Sequence, residues 1–342
     1  MKEKVLVLSL APGLGDFLVR IPAINLLSEY YNLDIVMNFP KSEENFVKMF
    51  FKENKNINFY LLSKKIHKNK FYRFFSFLES FSFVWNLKRN NYKFIVILAD
   101  FHTNLGVLKH NILLLSFYFY EKYAISSQAK LPFLNTKIIN LPELEHKRDK
   151  YFKFIVKVLK DRKIKYSFDI ENYLYKPKKL RKEKNIVIAP GSKMPSHRWP
   201  YYKELLNILV SKLDDFQFYI VGTKDEISLV KDIDNEKVKL VFNQSLQEVY
   251  KLFLSSKLIV CNDSGLMHLG VISNTKVYAI CGPGVYQPWC DYKDPNFYAF
   301  FKPVKCYPCR RWVCNDHICL KQWKAEYVAN KILMDLNNNE NK

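Results

Sequence analysis

No stretch of this chain has the length and apolarity of a membrane-spanning helix. The longest greasy run, residues 112–120, covers about nine residues, half of what a span needs. The first apolar stretch, Val5-Leu6-Val7-Leu8-Ser9-Leu10-Ala11, covers about seven and is broken by Pro12-Gly13, too short for a signal-peptide core. The expectation is a cytoplasmic protein, peripheral to a membrane at most. Acidic residues are scarce: 33 Asp and Glu face 54 Lys and Arg, a net charge of +21. Such a surface attracts polyanions, whether nucleic acid, anionic lipid or phosphorylated substrates. No nucleic-acid-binding motif is present and the cations are spread along the chain, which argues against a nucleic-acid partner.

Apolar residues make up 49% of the 342, enough for two sizeable cores and too many for a disordered chain apart from the polar end, residues 337–342, expected to fray. The front half opens with a strand over 5–10, a glycine-punctuated turn over 11–16, and Phe17, Ile21, Ile24 and Leu27 at helical spacing. Further strands are predicted over 34–38 and 94–100. Between them, residues 64–93 interleave Phe71, Tyr72, Phe74, Phe75, Phe77, Phe81, Phe83 and Trp85 with eight Lys or Arg. Two readings are open: an amphipathic helix packed on the sheet, or an interfacial helix resting on anionic lipid. Residues 171–184, rich in Lys, Tyr and Pro, read as a linker between domains 1–172 and 183–342.

The rear half alternates: strands over 185–189, 216–221, 238–242, 258–261 and 276–281, with helices over 201–212, 225–233, 246–255 and 266–272. Short connections and strict alternation predict a doubly wound parallel sheet. Ligands of such sheets sit beyond the carboxyl ends of the strands, so the loops 190–200, 222–226, 243–245, 262–265 and 282–288 should face one site.

Those loops hold the unusual residues. Pro12-Gly13-Leu14-Gly15-Asp16 allows close backbone approach at a helix start, but lacks the third glycine and the distant acid of a dinucleotide site. Asp16 reads either as an N-cap or as a carboxylate placed to take a proton from an attacking hydroxyl. Asn262-Asp263-Ser264-Gly265-Leu266-Met267-His268 ends a strand and opens a helix, which suits a pyrophosphate. Ser264 can donate its hydroxyl and Gly265 bares the backbone. Asp263 would be repelled by phosphate and is expected to hold the loop, and His268 is either a core histidine or a ligand contact. The loop 190–200 offers Ser192 and the cations Lys193, His197 and Arg198 to a departing diphosphate. In 222–226 a carboxylate could hold ribose hydroxyls, with helix capping by Asp225 as the plain alternative. Cys306, Cys309, Cys314 and Cys319 are spaced for a structural zinc or iron site, for reduced thiols or for disulfides.

Taken together, Gly13-Leu14-Gly15-Asp16, Pro190-Gly191-Ser192, Arg198-Trp199-Pro200, Asn262 to Leu269 and Cys281-Gly282-Pro283 resemble glycosyltransferase family 9, the lipopolysaccharide heptosyltransferases, over almost the whole chain. The resemblance implies a GT-B architecture, α/β, with two Rossmann-like domains facing across a cleft. It implies an inverting transferase that moves heptose from ADP-heptose to a lipid-linked inner-core acceptor, at the inner face of the bacterial inner membrane. Under it the front domain takes the acceptor and the rear domain the nucleotide sugar. Asp16 becomes the catalytic base, Asp263, Ser264 and Gly265 the donor-phosphate loop, and Glu226 the ribose-binding acid, with no metal needed for catalysis. A family member could equally use a protein or another polysaccharide as acceptor, or another nucleotide sugar. One departure stands out. The family's lysine two residues before the tryptophan is His197 here, so the diphosphate cation is Arg198, Lys193 or a protonated His197.

Overall fold

A computed structural model describes residues 2–10, 13–51, 56–62, 82–83, 85–98, 117, 119–125, 135–164, 167–178, 180–230, 233, 235–309 and 311–340. The chain divides into two compact units, Met1–Tyr175 and Lys176–Lys342.

In the first unit, β1 (Lys4–Ser9), β2 (Asn32–Met37), β3 (Ile57–Leu61), β4 (Ile95–Ile97), β5 (Lys122–Ile125) and β6 (Thr136–Ile139) form a sheet in the order β3-β2-β1-β4-β5-β6. Every pairing is parallel. Residues 5–8 of β1 are fully buried, as a strand covered on both faces must be, which is why the run is continuously apolar rather than alternating. Helix α1 (Leu14–Leu18) follows β1, and α2 (Ile21–Tyr30) carries Pro22 in its first turn, where the missing N–H costs nothing. A short α3 (Glu44–Met49) stacks Phe46 and Phe50 on Phe17. The longer α4 (Lys147–Asp161) packs against α2. The sequence reading has no counterpart for β3, β5, β6 or α4. Three of these are short strands with little period-2 signal, β3 and β6 at the sheet's edges, and α4 is studded with lysine.

The second unit repeats the plan. Its strands are β7 (Glu183–Ala189), β8 (Gln217–Gly222), β9 (Val238–Phe242), β10 (Ser256–Asn262), β11 (Lys276–Ile280) and β12 (Phe297–Phe300), in the order β12-β11-β10-β7-β8-β9 and all parallel. Helices α5 (Tyr202–Lys212), α6 (Leu246–Ser255) and α7 (Gly265–Ile272) lie between strands. Ser245 and Glu248 close a reciprocal capping box on α6. Shorter α8 (Tyr286–Cys290) and α9 (Ile318–Lys321) follow, and α10 (Ala325–Glu340) packs on α5. Both sheets have the doubly wound order, so each has a switch point where consecutive connections leave in opposite directions: beside β1 and β4, and beside β7 and β10.

Two expectations change. The segment after β8 is a 3-10 turn over Lys224–Leu229 rather than an α-helix over 225–233. The polar end does not fray at 337, because α10 continues to Glu340, tied down upstream by buried Val328, Ala329, Ile332 and Leu336. Most of the aromatic-basic segment, residues 64–81, lies outside the described residues. Within the described part of that segment, Trp85 is half exposed and Leu87 buried. No helix among the described residues is long and apolar enough to cross a membrane.

Candidate active site

The candidate donor site grows from the switch point of the second sheet. Asn262, fully buried at the end of β10, reaches across to the loop after β7. Its Oδ1 accepts from the Trp199 backbone N–H at 3.0 Å, and its Nδ2 donates to the carbonyls of Pro190 (2.7 Å) and Gly191 (3.3 Å). One amide therefore sets the spacing of both loops. Trp199 is the second anchor. It is 2% exposed, stacks edge-on against Tyr202 at 5.0 Å and donates its indole N–H to the Trp323 carbonyl at 2.8 Å.

His197 and Arg198 precede this anchor. Arg198 donates from Nε to the Ser192 carbonyl (2.9 Å), and its guanidinium stands 3.9 Å from Glu226. Glu226 accepts from the Thr223 backbone N–H at 2.9 Å, and its carboxylate occupies the space where a Cβ on Gly191 would sit, 2.2 Å away. Gly191 is thus glycine because the carboxylate lies over its Cα. Ser192 is buried and Lys193 exposed. The structure joins Ser192, Arg198 and Glu226 in one contact chain and leaves Lys193 at its rim.

His197 Nδ1 lies 3.4 Å from Asp263 Oδ2, within ion-pair distance but without hydrogen-bond geometry. Burial pushes the Asp263 carboxyl up, yet His197, helped by His268 and Cys290, more than offsets this and holds it below the usual value. Asp263 is thereby an inward-facing anion that holds His197. Next to it Ser264 heads α7, and its hydroxyl is buried with no hydrogen-bond partner among the described residues. A buried orphan hydroxyl at the positive end of a helix is a place for an anion's oxygen.

His268 lies one turn inside α7, 3% exposed, with Nδ1 2.6 Å from the Tyr292 hydroxyl. Burial lowers its pKa to about 4, against the pull of Asp263. His268 is therefore a neutral core residue at neutral pH. The sign of the linkage follows. The unfolded chain protonates this histidine near its ordinary value of 6.5 while the folded chain resists until about 4, so stability is full above that ordinary value and falls as pH drops toward 4. Urea unfolding should show a loss of about 2 kcal/mol between pH 7 and pH 5 from this residue. His268→Gln should flatten that part of the profile, and an equal slope in both proteins would refute the assignment.

The cysteine-rich segment straps these loops together. Ser196 donates from Oγ to the Arg311 carbonyl (2.7 Å) and from its backbone N–H to the Trp312 carbonyl (3.2 Å). The Gly284 N–H reaches the Cys309 carbonyl, and the Tyr286 N–H reaches the Tyr307 hydroxyl at 3.0 Å. All seven cysteines are free. Cys306 is exposed, Cys309 and Cys314 are half-buried, and Cys319 is buried with its sulfur against Gly282. Among the described residues no three His, Cys, Asp or Glu side chains are grouped to hold an ion, while burial and the neighbouring Cys306 and Cys314 push the Cys319 thiol up to about 11. Sequence spacing missed this role as a strap because backbone carbonyls perform it.

In the first unit Gly13 lies between β1 and α1, and Gly15 and Asp16 lie in the first turn of α1. Gly13, not Asp16, holds the N-cap position of α1. Asp16 is partly exposed and meets the guanidinium of Arg20 at 3.5 Å. Arg20 is 1% exposed and also donates to Ser9 Oγ (2.9 Å) and the Tyr151 hydroxyl (3.3 Å). Sequence reading missed Arg20, four residues after Asp16, and Lys147 and Tyr151, which α4 brings in from over a hundred residues away.

Residues 129–317 match the model of Glycosyltransferase family 9 (heptosyltransferase), more than half of the chain. The chain belongs to glycosyltransferase family 9. This family 9 glycosyltransferase is 29% identical over 238 residues to lipooligosaccharide heptosyltransferase 2 of Campylobacter jejuni serotype O:2, covering 63% of this chain and 72% of that one. Its fold is shared with E. coli ADP-heptose LPS heptosyltransferase II (TM-score 0.68, 15% identity, 99% of this chain and 100% of that one). It is also shared with an E. coli heptosyltransferase solved with ADP-2-deoxy-2-fluoro heptose (TM-score 0.67, 16% identity, 97% and 99%). The GT-B class expected from sequence is the class observed.

Proposed function

We propose that this glycosyltransferase moves heptose from ADP-heptose, with inversion, onto a lipid-linked oligosaccharide of the lipopolysaccharide inner core. The observation that carries this reading is the buried, unpartnered Ser264 hydroxyl at the head of α7, at the switch point where the loops of β7 and β10 are tied by Asn262. The leaving diphosphate binds there, on Ser264 and the Gly265 backbone. Arg198, fixed by the Ser192 carbonyl, neutralises charge as the sugar–phosphate bond breaks. Glu226 is the candidate ribose acid, although one oxygen already accepts from Thr223. In the first unit Asp16 takes the proton of the attacking hydroxyl. Its oxygen bonds to the anomeric carbon, and the electron pair of the broken bond leaves with ADP. The net charge of +21 supports work on an acceptor embedded in an anionic leaflet, and binding to anionic vesicles should weaken as salt rises.

The test is ADP release from ADP-heptose with purified inner-core acceptor, alongside mass spectrometry of lipopolysaccharide from a deletion strain. Turnover only with a protein or another polysaccharide, or with another nucleotide sugar, replaces the acceptor or donor in this reading. Because Arg198 and the head of α7 carry the leaving-group charge in this reading, turnover is expected to persist after exhaustive chelation. Loss of activity that zinc or iron restores would overturn that expectation.

A further inference from the structure

Arg20 raises a question that packing alone does not answer. A guanidinium that is 1% exposed has lost nearly all its hydration, a cost that a buried ion pair offsets only when the geometry is good. Here it is held from several sides by neutral groups. Ser9 Oγ, at the end of β1, accepts at 2.9 Å. The Tyr151 hydroxyl, on α4, accepts at 3.3 Å, and the guanidinium carbon sits 5.0 Å from the centre of the same tyrosine ring. Its Nε is buried without a hydrogen-bond partner. The carboxylate contact recorded for it is Asp16 Oδ1, and that contact is long, 3.5 Å, to a side chain that keeps 23% of its surface in solvent. A cation held only for stability would sit tightly on a buried carboxylate. This one is fixed by neutral groups and presented behind an acid that faces outward.

The other oxygen of that acid is constrained too. Asp16 Oδ2 lies where it would be 2.8 Å from a Cβ on residue 13, so Gly13 leaves it room. The carboxylate is thus pinned through Oδ1 to Arg20 and rests through Oδ2 over a bare Cα. From α4, Lys147 also feels the charges of Asp16, Arg20 and Lys150, and burial lowers its pKa to about 8. Among the described residues, Arg20 and Lys147 are cations that act on Asp16.

We propose that Arg20, locked by Ser9 and Tyr151, is a positioning residue that orients the Asp16 carboxylate and keeps it ionised for proton abstraction. This rests on the reading of Asp16 as the base. The trade-off is physical. A neighbouring cation weakens the carboxylate as a base but ensures that it is charged when the acceptor arrives, and fixes which oxygen points outward.

The experiment compares the parent with Arg20→Met, Arg20→Lys and Tyr151→Phe, reading kcat, donor KM and the pH dependence of kcat, with thermal melting as the check on folding. Arg20→Met should lower kcat about 10- to 100-fold, leave donor KM unchanged, and move the acid limb of the pH profile up by about one unit. Arg20→Lys should return the limb toward its original position with partial recovery of rate. Tyr151→Phe, which keeps the ring and removes one acceptor, should lower kcat by severalfold without moving donor KM. A cooperative melt with an unshifted acid limb in Arg20→Met overturns the proposal. Should Arg20→Met fail to fold, Arg20→Lys and Tyr151→Phe decide it: parental kcat in both overturns it. If Asp16→Asn keeps the parental rate, the base assignment fails instead, so the two failures are distinguishable.

Discussion

Asp16→Asn is expected to lower turnover by about 10²–10⁴-fold, the size of a general-base contribution. The substitution preserves shape and lets Oδ1 still accept from Arg20, so the melting temperature should change little. It removes the ability to take a proton, together with the negative charge facing Arg20. The proposed donor contacts, Ser264, Gly265, Arg198 and Glu226, all belong to the other unit, so calorimetry should show ADP bound with parental affinity. Full-rate transfer by Asp16→Asn with normal donor binding would end the assignment. A fall in donor affinity matching the fall in rate would instead show that the substitution disturbs binding rather than proton transfer.

The second large effect is on stability. Trp199→Ala should destabilise the second unit by about 3–5 kcal/mol, the usual cost of emptying a buried aromatic site. Trp199 belongs to the core formed by Ile186, Ile188, Leu205, Leu206 and Leu209 from β7 and α5. It also carries the hydrogen bond to Trp323 that ties the loop to the segment before α10. Trp199→Phe keeps most of the ring but leaves that carbonyl unpaired, at about 1–3 kcal/mol. The expected order of stability is parent, then Phe, then Ala, read by differential scanning calorimetry with each unit's transition resolved. Donor affinity should fall in the same order, because His197 and Arg198 immediately precede the anchor. Equal melting of Ala and parent would show that the loop is held by Asn262 alone.

These two residues illustrate what was legible beforehand. The Arg198-Trp199-Pro200 motif drew attention through its cations, yet the structure gives the tryptophan the anchoring role. Asn262 is legible only as part of a motif, and its bridge between two loops depends on β7 and β10 being neighbours across the switch point. His268 reads from the sequence as either core or ligand contact, and the fold buries it with Nδ1 against the Tyr292 hydroxyl. The helix expected over 225–233 shrank to a 3-10 turn, where Glu226 turns back to Thr223 and lies over Gly191.

The alternation of apolar runs with amphipathic helices in the rear half, and with it that half's parallel sheet, is legible in the amino-acid sequence alone, because a strand covered on both faces has to be continuously apolar. The sequence also placed the glycines, the serine and the acids at strand ends, since local backbone geometry selects those residue types. Only the tertiary structure decided which distant groups meet. Tyr151 beneath Arg20 and the carbonyls of the cysteine segment over Ser196 are joined by folding across many residues, whereas Asp16 and Arg20 stand only four residues apart. Such contacts depend on desolvation and hydrogen-bond pairing between elements, which no local pattern records.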